Sequence, residues 1–332
     1  MTTHKKTLAE VGELEFIRHI RCLIPGDGGI FLRSVGDDCL VAESFAQDHI
    51  LATTDTFVDG VHFTLDYFNF EQAGGRCMAA AVSDIAAMSG IPEYSLVSLA
   101  MPKNTLFNDA VSLFTGLQKK AEQYGCPVAG GETTSTPGPV TVTVTVIGRV
   151  EPGRAVTRSG TRLDDGIFIT GTIGDAMAGL MAFERNEKEF QVLKSKFVTP
   201  EALVTLSRSL TTAYSITSMI DVSDGLAADL RHICEESGCG AEIDASLLPL
   251  SNEYKKFSEK YSLDTVDFAL SSGEEFELLF TSDDGSIPEQ FTLEDRAITR
   301  IGTVIETSGG LKLYRGSSYT EPLIQKGYEH FK

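Results

Sequence analysis

Apolar residues recur at helical or strand spacing along most of the chain. Residues 12–24 have nearly helical spacing, and the Pro/Gly-rich stretch that follows ends this predicted helix. Residues 50–54 and 94–101 are short apolar runs that predict strands. The Ala-rich segment 71–90 and the segment 108–124 predict helices. Helices and strands therefore alternate in the first half of the chain.

Valine and threonine alternate over residues 139–147, which predicts a strand with one apolar and one polar face, suited to an exposed sheet or an interface. Gly, Pro and Arg then interrupt the pattern, so we place a domain boundary near residue 155 and predict domains at 12–155 and 156–331. The second half repeats the theme. Strand–turn–helix units are predicted at 164–180 and 218–233, and strands at 274–281 and 296–305. The fold class is thus α/β (α+β) with two domains.

The composition narrows the possible partners. With 47 acidic and 28 basic residues among 332, the net charge is -19, which disfavours nucleic acid. The six cysteines form no C-x-x-C pair, and no segment has the apolar length of a signal core or a membrane span. We therefore expect a cytoplasmic protein with reduced thiols and no membrane contact.

Short carboxylates cluster at predicted strand ends and turns. Any single one is explained by helix capping or turn formation. Several brought to one site would repel one another unless a divalent ion neutralised them, and an all-oxygen ligand set selects magnesium or manganese. These carboxylates are Asp37, Asp38, Asp55, Asp59, Asp84, Glu132, Asp221 and Asp224.

Magnesium held by aspartates indicates phosphoryl transfer, because the metal offsets charge on phosphoryl oxygens. The sequence has neither a G-x-x-x-x-G-K-[ST] loop nor the protein-kinase motifs. Two glycine-rich segments, 130–134 and 171–179, are either tight turns or cradles for phosphate. Arg158 is either a surface ion-pair partner or a contact for a triphosphate.

Eight blocks, in this order, resemble the thiamine-monophosphate kinase family: GDDCLV, TTDTFVDGVHF, VSDIAAMSGIP, GGETT, RAVTRSG, DVSDGLAADLRHICEESGCGAEID, SGEEFELLFT and KGYEHF. The resemblance spans residues 12–331, and the wider superfamily includes aminoimidazole ribonucleotide synthetase. It implies an N-terminal domain that pairs with its copy to form a dimer-spanning β-barrel, and a C-terminal α/β domain over the ATP cleft. It also implies ATP-dependent phosphorylation of thiamine monophosphate in a homodimer.

The resemblance implies three sets of site residues. Magnesium ligands would be Asp38, Thr53, Thr54, Asp55, Asp84, Glu132, Asp221 and Asp224, with Asp38, Asp55, Asp84 and Asp221 carrying catalysis. ATP contacts would be Gly131, Glu132, Arg158 and Ser223. The thiamine phosphate pocket would be lined by His62, Glu274 and Tyr328. Without the resemblance, His62 and Tyr328 would be interpreted as packing residues.

The chain departs from the family pattern at two places. Glu132 stands where the family usually has Asp, and Ser272-Gly-Glu-Glu275 stands where it has G-G-E-D. The extra methylene of Glu132 bears on metal distance and coordination. Its GGET block also resembles aminoimidazole ribonucleotide synthetase. Two alternatives therefore remain, an ATP-dependent ring-closing synthetase and a non-catalytic nucleotide-binding regulator.

Overall fold

The structure is a computed structural model that describes residues 6–11, 16, 19, 22, 23, 31–33, 41, 42, 47–316 and 320–323. Its helices are Leu8–Val11 (α1), Phe70–Ala87 (α2), Phe107–Gln123 (α3), Asp175–Glu184 (α4), Gln191–Val198 (α5), Val204–Ala213 (α6), Leu226–Ser237 (α7), Asn252–Tyr261 (α8) and Thr265–Ser271 (α9). Its strands are Phe31–Arg33 (β1), Val41–Ala42 (β2), His49–Val58 (β3), Ile91–Met101 (β4), Val128–Ser135 (β5), Thr141–Val150 (β6), Gly166–Thr170 (β7), Ile216–Asp221 (β8), Gly240–Asp244 (β9), Leu278–Ser282 (β10), Gln290–Leu293 (β11), Arg296–Ile305 (β12), Leu311–Tyr314 (β13) and Thr320–Pro322 (β14).

The chain forms two compact units. The N-terminal unit comprises described residues up to Ile85 together with Gly90–Gly153, and the C-terminal unit comprises Ala86–Ser89 and the described residues from Arg154 onward. Both mix helices with strands, so the fold is a mixed α/β fold of two domains. Most of the predicted helix at 12–24 lies outside the described residues.

A four-stranded sheet in the order β3-β6-β4-β5 forms the centre of the N-terminal unit. Only the β4–β5 pair is parallel. The predicted alternation along β6 is confirmed, because Val142, Val144 and Val146 are fully buried while the threonines between them are half-buried. Within the described residues β3 and β5 do not pair with each other, so the sheet of this chain is open and shows no closed barrel.

One arginine joins three strand ends of this sheet. The guanidinium of Arg149, near the end of β6, donates from Nη1 to Asp48 at 2.7 Å and from Nε to Glu93 at 2.5 Å. Asp48 directly precedes β3, and Glu93 lies on β4. Charge-assisted hydrogen bonds of this kind have specific geometry, so the arginine fixes β6 against both neighbours.

The C-terminal unit is built on an eight-stranded sheet in the order β14-β13-β9-β12-β7-β10-β8, with β11 paired to β12. Successive residues of β7 enter different cores. Ile167 and Ile169 join one apolar cluster with helices α4 and α7, whereas Phe168 stacks on Phe280 in a second cluster with α6. Because both faces of the sheet are covered, its central strands are apolar on both sides.

Two sequence predictions differ from the structure. The predicted strand at 274–281 begins only at Leu278, because Glu274 and Phe276 adopt left-handed backbone conformations with φ of 64° and 53°. The glycine-rich segment 130–134 is part of strand β5, which was not predicted. No helix in the described part of the chain has the length and apolar character needed to cross a bilayer.

Candidate active site

Strand β3 and helix α2 bring two of the predicted metal ligands together in the N-terminal unit. The hydroxyl of Thr53 donates a hydrogen bond of 2.5 Å to Oδ2 of Asp84. Asp55 lies two residues further along β3, and because strand side chains alternate, it is on the same face of the sheet as Thr53. The two aspartates and Thr53 are therefore an oxygen-rich group on the face that packs against α2.

Thr54 lies on the opposite face of the same sheet. Its hydroxyl is hydrogen-bonded to that of Thr145 on β6 at 2.9 Å, and Thr56 pairs with Thr143 in the same way. These pairs make a ladder of threonines across β3 and β6. The side chain of Thr54 is thus directed away from Asp55 and Asp84. Only the backbone carbonyl of Thr54 can share a metal with these aspartates, and its role as a metal ligand stays a prediction.

His62 follows β3 and is oriented by its surroundings. Its Nδ1 accepts a hydrogen bond of 3.0 Å from the backbone N–H of Val58, and its ring meets Phe57 edge-on. Because Nδ1 is the acceptor, the neutral imidazole carries its proton on Nε2. The carbonyl of His62 accepts from Arg76 Nε at 3.2 Å. The geometry is that of a fixed ring, which suits packing and ligand positioning equally.

Gly131 and Glu132 lie on β5, next to β4. A Cβ at Gly131 would lie 1.7 Å from the carbonyl oxygen of Val97, so only glycine allows the two strands to approach this closely. Glu132 is exposed, and its Oε1 accepts from the backbone N–H of Thr133 at 3.1 Å. The glycine is therefore explained by strand packing, while the role of Glu132 in binding metal or ATP stays a prediction.

In the C-terminal unit, Asp221 ends β8 and is 4% exposed. The loop that follows carries Ser223 and Asp224 and leads into α7. Its backbone N–H groups at Ser223, Asp224 and Gly225 all donate to Oδ2 of Asp229, at 3.1, 3.2 and 3.1 Å. Asp229, from the first turn of α7, thus fixes the loop that presents two predicted ligands.

Asp224, Asp229 and His232 each offer a ligand atom, and these atoms lie within 4.8 Å of one another. Burial of Asp229, reinforced by the negative charges of Asp221 and Asp224, raises its pKa to about 8. Such crowding of carboxylates fits a cation, since oxygen donors suit hard divalent ions. Asp229 and His232 were not among the predicted site residues, although an acidic residue in a first helical turn is a recognisable capping signal.

Glu274 lies beside this loop. Its backbone N–H donates to the carbonyl of Ser223 at 2.8 Å, and the N–H of Phe276 donates to the carbonyl of Val222 at 2.9 Å. A Cβ at Gly273 would lie 2.4 Å from the Ser223 carbonyl, so the segment packs tightly on the loop. A predicted substrate residue and a predicted ATP residue are therefore adjacent within this unit.

The second glycine-rich segment, 171–179, is filled by the protein's own carboxylates. At the start of α4, the N–H groups of Gly174 and Ala176 donate to Oε1 of Glu275 at 2.7 and 3.2 Å. A Cβ at Gly171, whose φ is +59°, would lie 2.1 Å from Oε1 of Glu277. These contacts occupy the positions that a phosphate would need, so the segment is a tight turn rather than a phosphate cradle.

The remaining predicted residues are dispersed. Arg158 is exposed, and its carbonyl accepts from the hydroxyl of Ser237 at 3.2 Å. Asp38 and Tyr328 lie outside the described residues, as does Asp37. Their assignments to metal and substrate stay predictions.

Two family profiles match the chain. AIR synthase related protein, N-terminal domain, matches residues 36–150, and AIR synthase related protein, C-terminal domain, matches residues 163–313. Together the matches cover more than half of the chain and define its class: paired domains of AIR synthase related proteins. Within that class, the chain belongs to the thiamine-monophosphate kinase family.

Individual relatives match along nearly the whole chain. Thiamine-monophosphate kinase of Bacillus subtilis (strain 168) is 34% identical over 307 residues, 90% of this chain and 93% of that protein. The enzyme of that name from Aquifex aeolicus (strain VF5) is 32% identical over 328 residues, covering 98% and 99%. The solved structure of AaThiL complexed with AMPPCP and TMP has a TM-score of 0.77 and 29% identity, with complete coverage of both chains.

Proposed function

We propose that this chain is a kinase that transfers the γ-phosphoryl group of ATP to thiamine monophosphate, giving thiamine diphosphate and ADP. The match to AaThiL complexed with AMPPCP and TMP, over the full length of both chains, carries the proposal. AMPPCP is an ATP analogue, so that pair corresponds to the two substrates of this reaction. Identities of 32–34% to two proteins named thiamine-monophosphate kinase support the same assignment.

The reaction is a direct in-line transfer. A phosphate oxygen of thiamine monophosphate forms a bond to the γ-phosphorus, the bond from that phosphorus to the bridging oxygen of ATP breaks, and ADP leaves with the electron pair. The second pKa of a phosphate monoester is about 6, so the attacking oxygen is already ionised at neutral pH. A dedicated general base is unnecessary, and catalysis rests on positioning and charge stabilisation.

Magnesium is the cofactor we propose. When bound, it supplies charge neutralisation on the phosphoryl oxygens. We propose Asp55 and Asp84 as magnesium ligands of the N-terminal unit, and Asp221 and Asp224, independently, as magnesium ligands of the C-terminal unit. The crowded carboxylates around Asp224 support this donor set, because their mutual repulsion is relieved by a hard cation.

For the chain's own residues, the Thr53 hydroxyl orients Asp84, and Asp229 holds the loop of Ser223 and Asp224 in place. We propose ATP contacts at Gly131, Glu132, Arg158 and Ser223. The remaining proposed metal ligands are Asp38, Thr53, Thr54 and Glu132. We propose thiamine monophosphate contacts at His62, Glu274 and Tyr328. A fixed imidazole and an acidic side chain are suitable partners for a phosphate and a thiazolium cation, respectively.

We also propose a homodimer whose two four-stranded sheets join into a barrel. The threonine ladder on the outer face of β3 and β6 supports this, because it offers a regular, uncharged surface. Ile50, which is 67% exposed, lies on the same face of β3 as Thr54 and adds apolar area to it. Size-exclusion chromatography with light scattering should give twice the 35.9 kDa of the chain, and a monomer would reject the dimer. The cytoplasmic location predicted from the sequence stays a prediction.

One assay separates the proposed kinase from its alternatives. The purified chain is incubated with magnesium, γ-³²P-labelled ATP and thiamine monophosphate. Direct transfer places the label in thiamine diphosphate. Closure of formylglycinamidine ribonucleotide, tested in parallel, would favour the ring-closing synthetase instead. ATP binding without turnover of either substrate would favour a regulator.

A further inference from the structure

Glu275 caps a helix that lies about a hundred residues away in the sequence. Only 8% exposed, its Oε1 accepts from the N–H groups of Gly174 and Ala176, and its Oε2 lies 3.3 Å from the latter nitrogen. The N-cap residue of α4 is Gly174, whose conformation is left-handed and which has no side chain to cap with. The carboxyl group of Glu275 thus replaces the missing cap. The hydroxyl of Ser272 donates to the same Oε1 at 2.8 Å.

The residues on either side of Glu275 are strained. Glu274 and Phe276 both have left-handed backbones, a conformation that is unfavourable for a residue with a side chain. Such strain persists only where surrounding contacts over-determine the conformation. Here those contacts are the backbone bonds to the carbonyls of Val222 and Ser223 and the side-chain bonds of Glu275.

The position of Glu274 is therefore set from both sides. Its own N–H fixes it to Ser223, and the next side chain fixes the turn to α4. Among the charged groups near Glu275, Asp175 and Lys196 form an ion pair of 3.1 Å, and Asp175 accepts from the hydroxyl of Ser251 at 2.5 Å. These groups are occupied with one another, which leaves Glu275 as the link between α4 and the turn.

We propose that Glu275 is a positioning residue for Glu274: by capping α4 it holds the strained turn against the Ser223 loop and so sets the affinity for thiamine monophosphate. The inference rests on the proposed function, because it takes Glu274 as part of the substrate pocket. It goes further by assigning a task to Glu275, which is not among the residues proposed to bind substrate or metal. A residue with a purely structural task would change stability without selecting one substrate over the other.

The length of the side chain at position 275 provides the test. Glu275→Asp shortens the side chain by one methylene, about 1.5 Å, which takes its oxygens beyond hydrogen-bond reach of Gly174 unless the turn moves. We expect KM for thiamine monophosphate to rise about tenfold while KM for ATP stays within about twofold. Glu275→Gln keeps the length of the side chain and one acceptor oxygen, so its KM for thiamine monophosphate should be within about threefold of the wild-type value.

The matched control is Asp264→Ala. Asp264 caps α9 in the same unit, accepting from Val266 and Asp267 at 3.0 and 2.9 Å, so its loss lowers stability through the same kind of bond. KM for thiamine monophosphate should not change in this variant. An equal rise in the control, or an unchanged KM in Glu275→Asp, would overturn the inference.

Hydrogen–deuterium exchange on the ligand-free protein gives a second readout that needs no substrate. In Glu275→Asp, peptides covering residues 172–177 and 272–277 should exchange faster together, whereas Glu275→Gln should resemble wild type. Faster exchange at 172–177 alone would mean that the cap does not hold the turn, and the inference would fail. If the wild-type protein made no thiamine diphosphate while the exchange results were as expected, the proposed substrate would be wrong. The role of Glu275 in holding the turn at 272–277 would still be supported.

Discussion

The buried ion pair of Glu277 and Arg296 offers a quantitative test of how the C-terminal unit is held together. The carboxylate of Glu277 is 1% exposed and accepts from Arg296 Nη2 at 2.5 Å and from Nε at 3.1 Å. The hydroxyl of Thr170 donates to it at 2.6 Å. Arg296→Met would leave this carboxylate buried with one hydroxyl partner.

Removing one member of a buried pair costs about 3–5 kcal/mol, because the remaining charge stays desolvated. The arginine side chain is 27% exposed, so solvent screens part of the interaction and we expect about 3 kcal/mol. For a domain of this size, that loss corresponds to a fall in melting temperature of roughly 6–12 °C. Differential scanning calorimetry of the purified variant measures this shift.

The double variant Glu277→Gln/Arg296→Met removes the buried, unpaired negative charge that Arg296→Met leaves at Glu277. An amide keeps an acceptor for Thr170, so the double variant should recover more than half of the lost stability. A melting temperature of Arg296→Met within about 2 °C of wild type, or a double variant less stable than the single one, would refute the reasoning.

Three further predictions concern single residues. Asp84→Asn should lower turnover by about 10²-fold or more in a folded protein, whereas Thr53→Val, which removes only the hydroxyl that donates to Asp84, should lower it less. Steady-state kinetics measures turnover, and circular dichroism checks that both variants are folded. A wild-type rate for Asp84→Asn would exclude Asp84 from catalysis. Gly171→Ala should lower the free energy of unfolding more than Gly238→Ala, because both glycines have positive φ but only Gly171 faces the carboxylate of Glu277. Equal midpoints of urea unfolding for the two variants would contradict this. Burial raises the pKa of Glu275 from 4.5 to about 8, so its contribution to stability is present below pH 4.5 and is lost as pH rises through 8. Relative to Glu275→Gln, wild type should therefore lose about 1.4 kcal/mol per pH unit between pH 5 and 8 in urea titrations, and a constant difference would disprove the assignment.

The sequence predicted those elements whose stability comes from local periodicity. The helix expected at 108–124 is observed at Phe107–Gln123, and the strand expected at 296–305 is observed with the same limits. Strand β12 is apolar on both sides, with Ile298 in one apolar cluster and Ile301 and Val304 in the other. In the helix, apolar spacing and the buried face agree, because the helix packs one regular side against the core. The two-faced character of β6 was predicted for the same reason.

Local patterns failed where distant residues decide the conformation. The segment at 274–281 has the composition of a strand, yet its first four residues form a turn because Glu275 caps α4 from far along the chain. The glycines of 171–179 suggested a possible phosphate site, but the partners that fill it are carboxylates at 275 and 277. No local signal connects these segments. Only the arrangement of β7 beside β10 does so.

The candidate site was partly accessible from the sequence. The occurrence of short carboxylates at predicted strand ends and turns indicates eight residues, among them Asp55, Asp84, Asp221 and Asp224, and their role in binding metal stays a prediction. Asp229 was missed because its effect is indirect, through three backbone N–H groups of the preceding loop. Resemblance to a family identifies residues that contact ligands, whereas supporting residues of this kind become visible only through hydrogen-bond geometry.

The arginine at the end of β6 has a consequence for how the N-terminal sheet assembles. Because Val and Thr alternate along β6, a slip of one residue against β3 or β4 would turn every valine outward and bury every hydroxyl. Such a mispaired sheet would still satisfy its backbone bonds, so the backbone alone distinguishes poorly between registers. In the native alignment Arg149 donates to both Asp48 and Glu93. We therefore expect loss of Arg149 to appear as slower or heterogeneous refolding even where the native state survives.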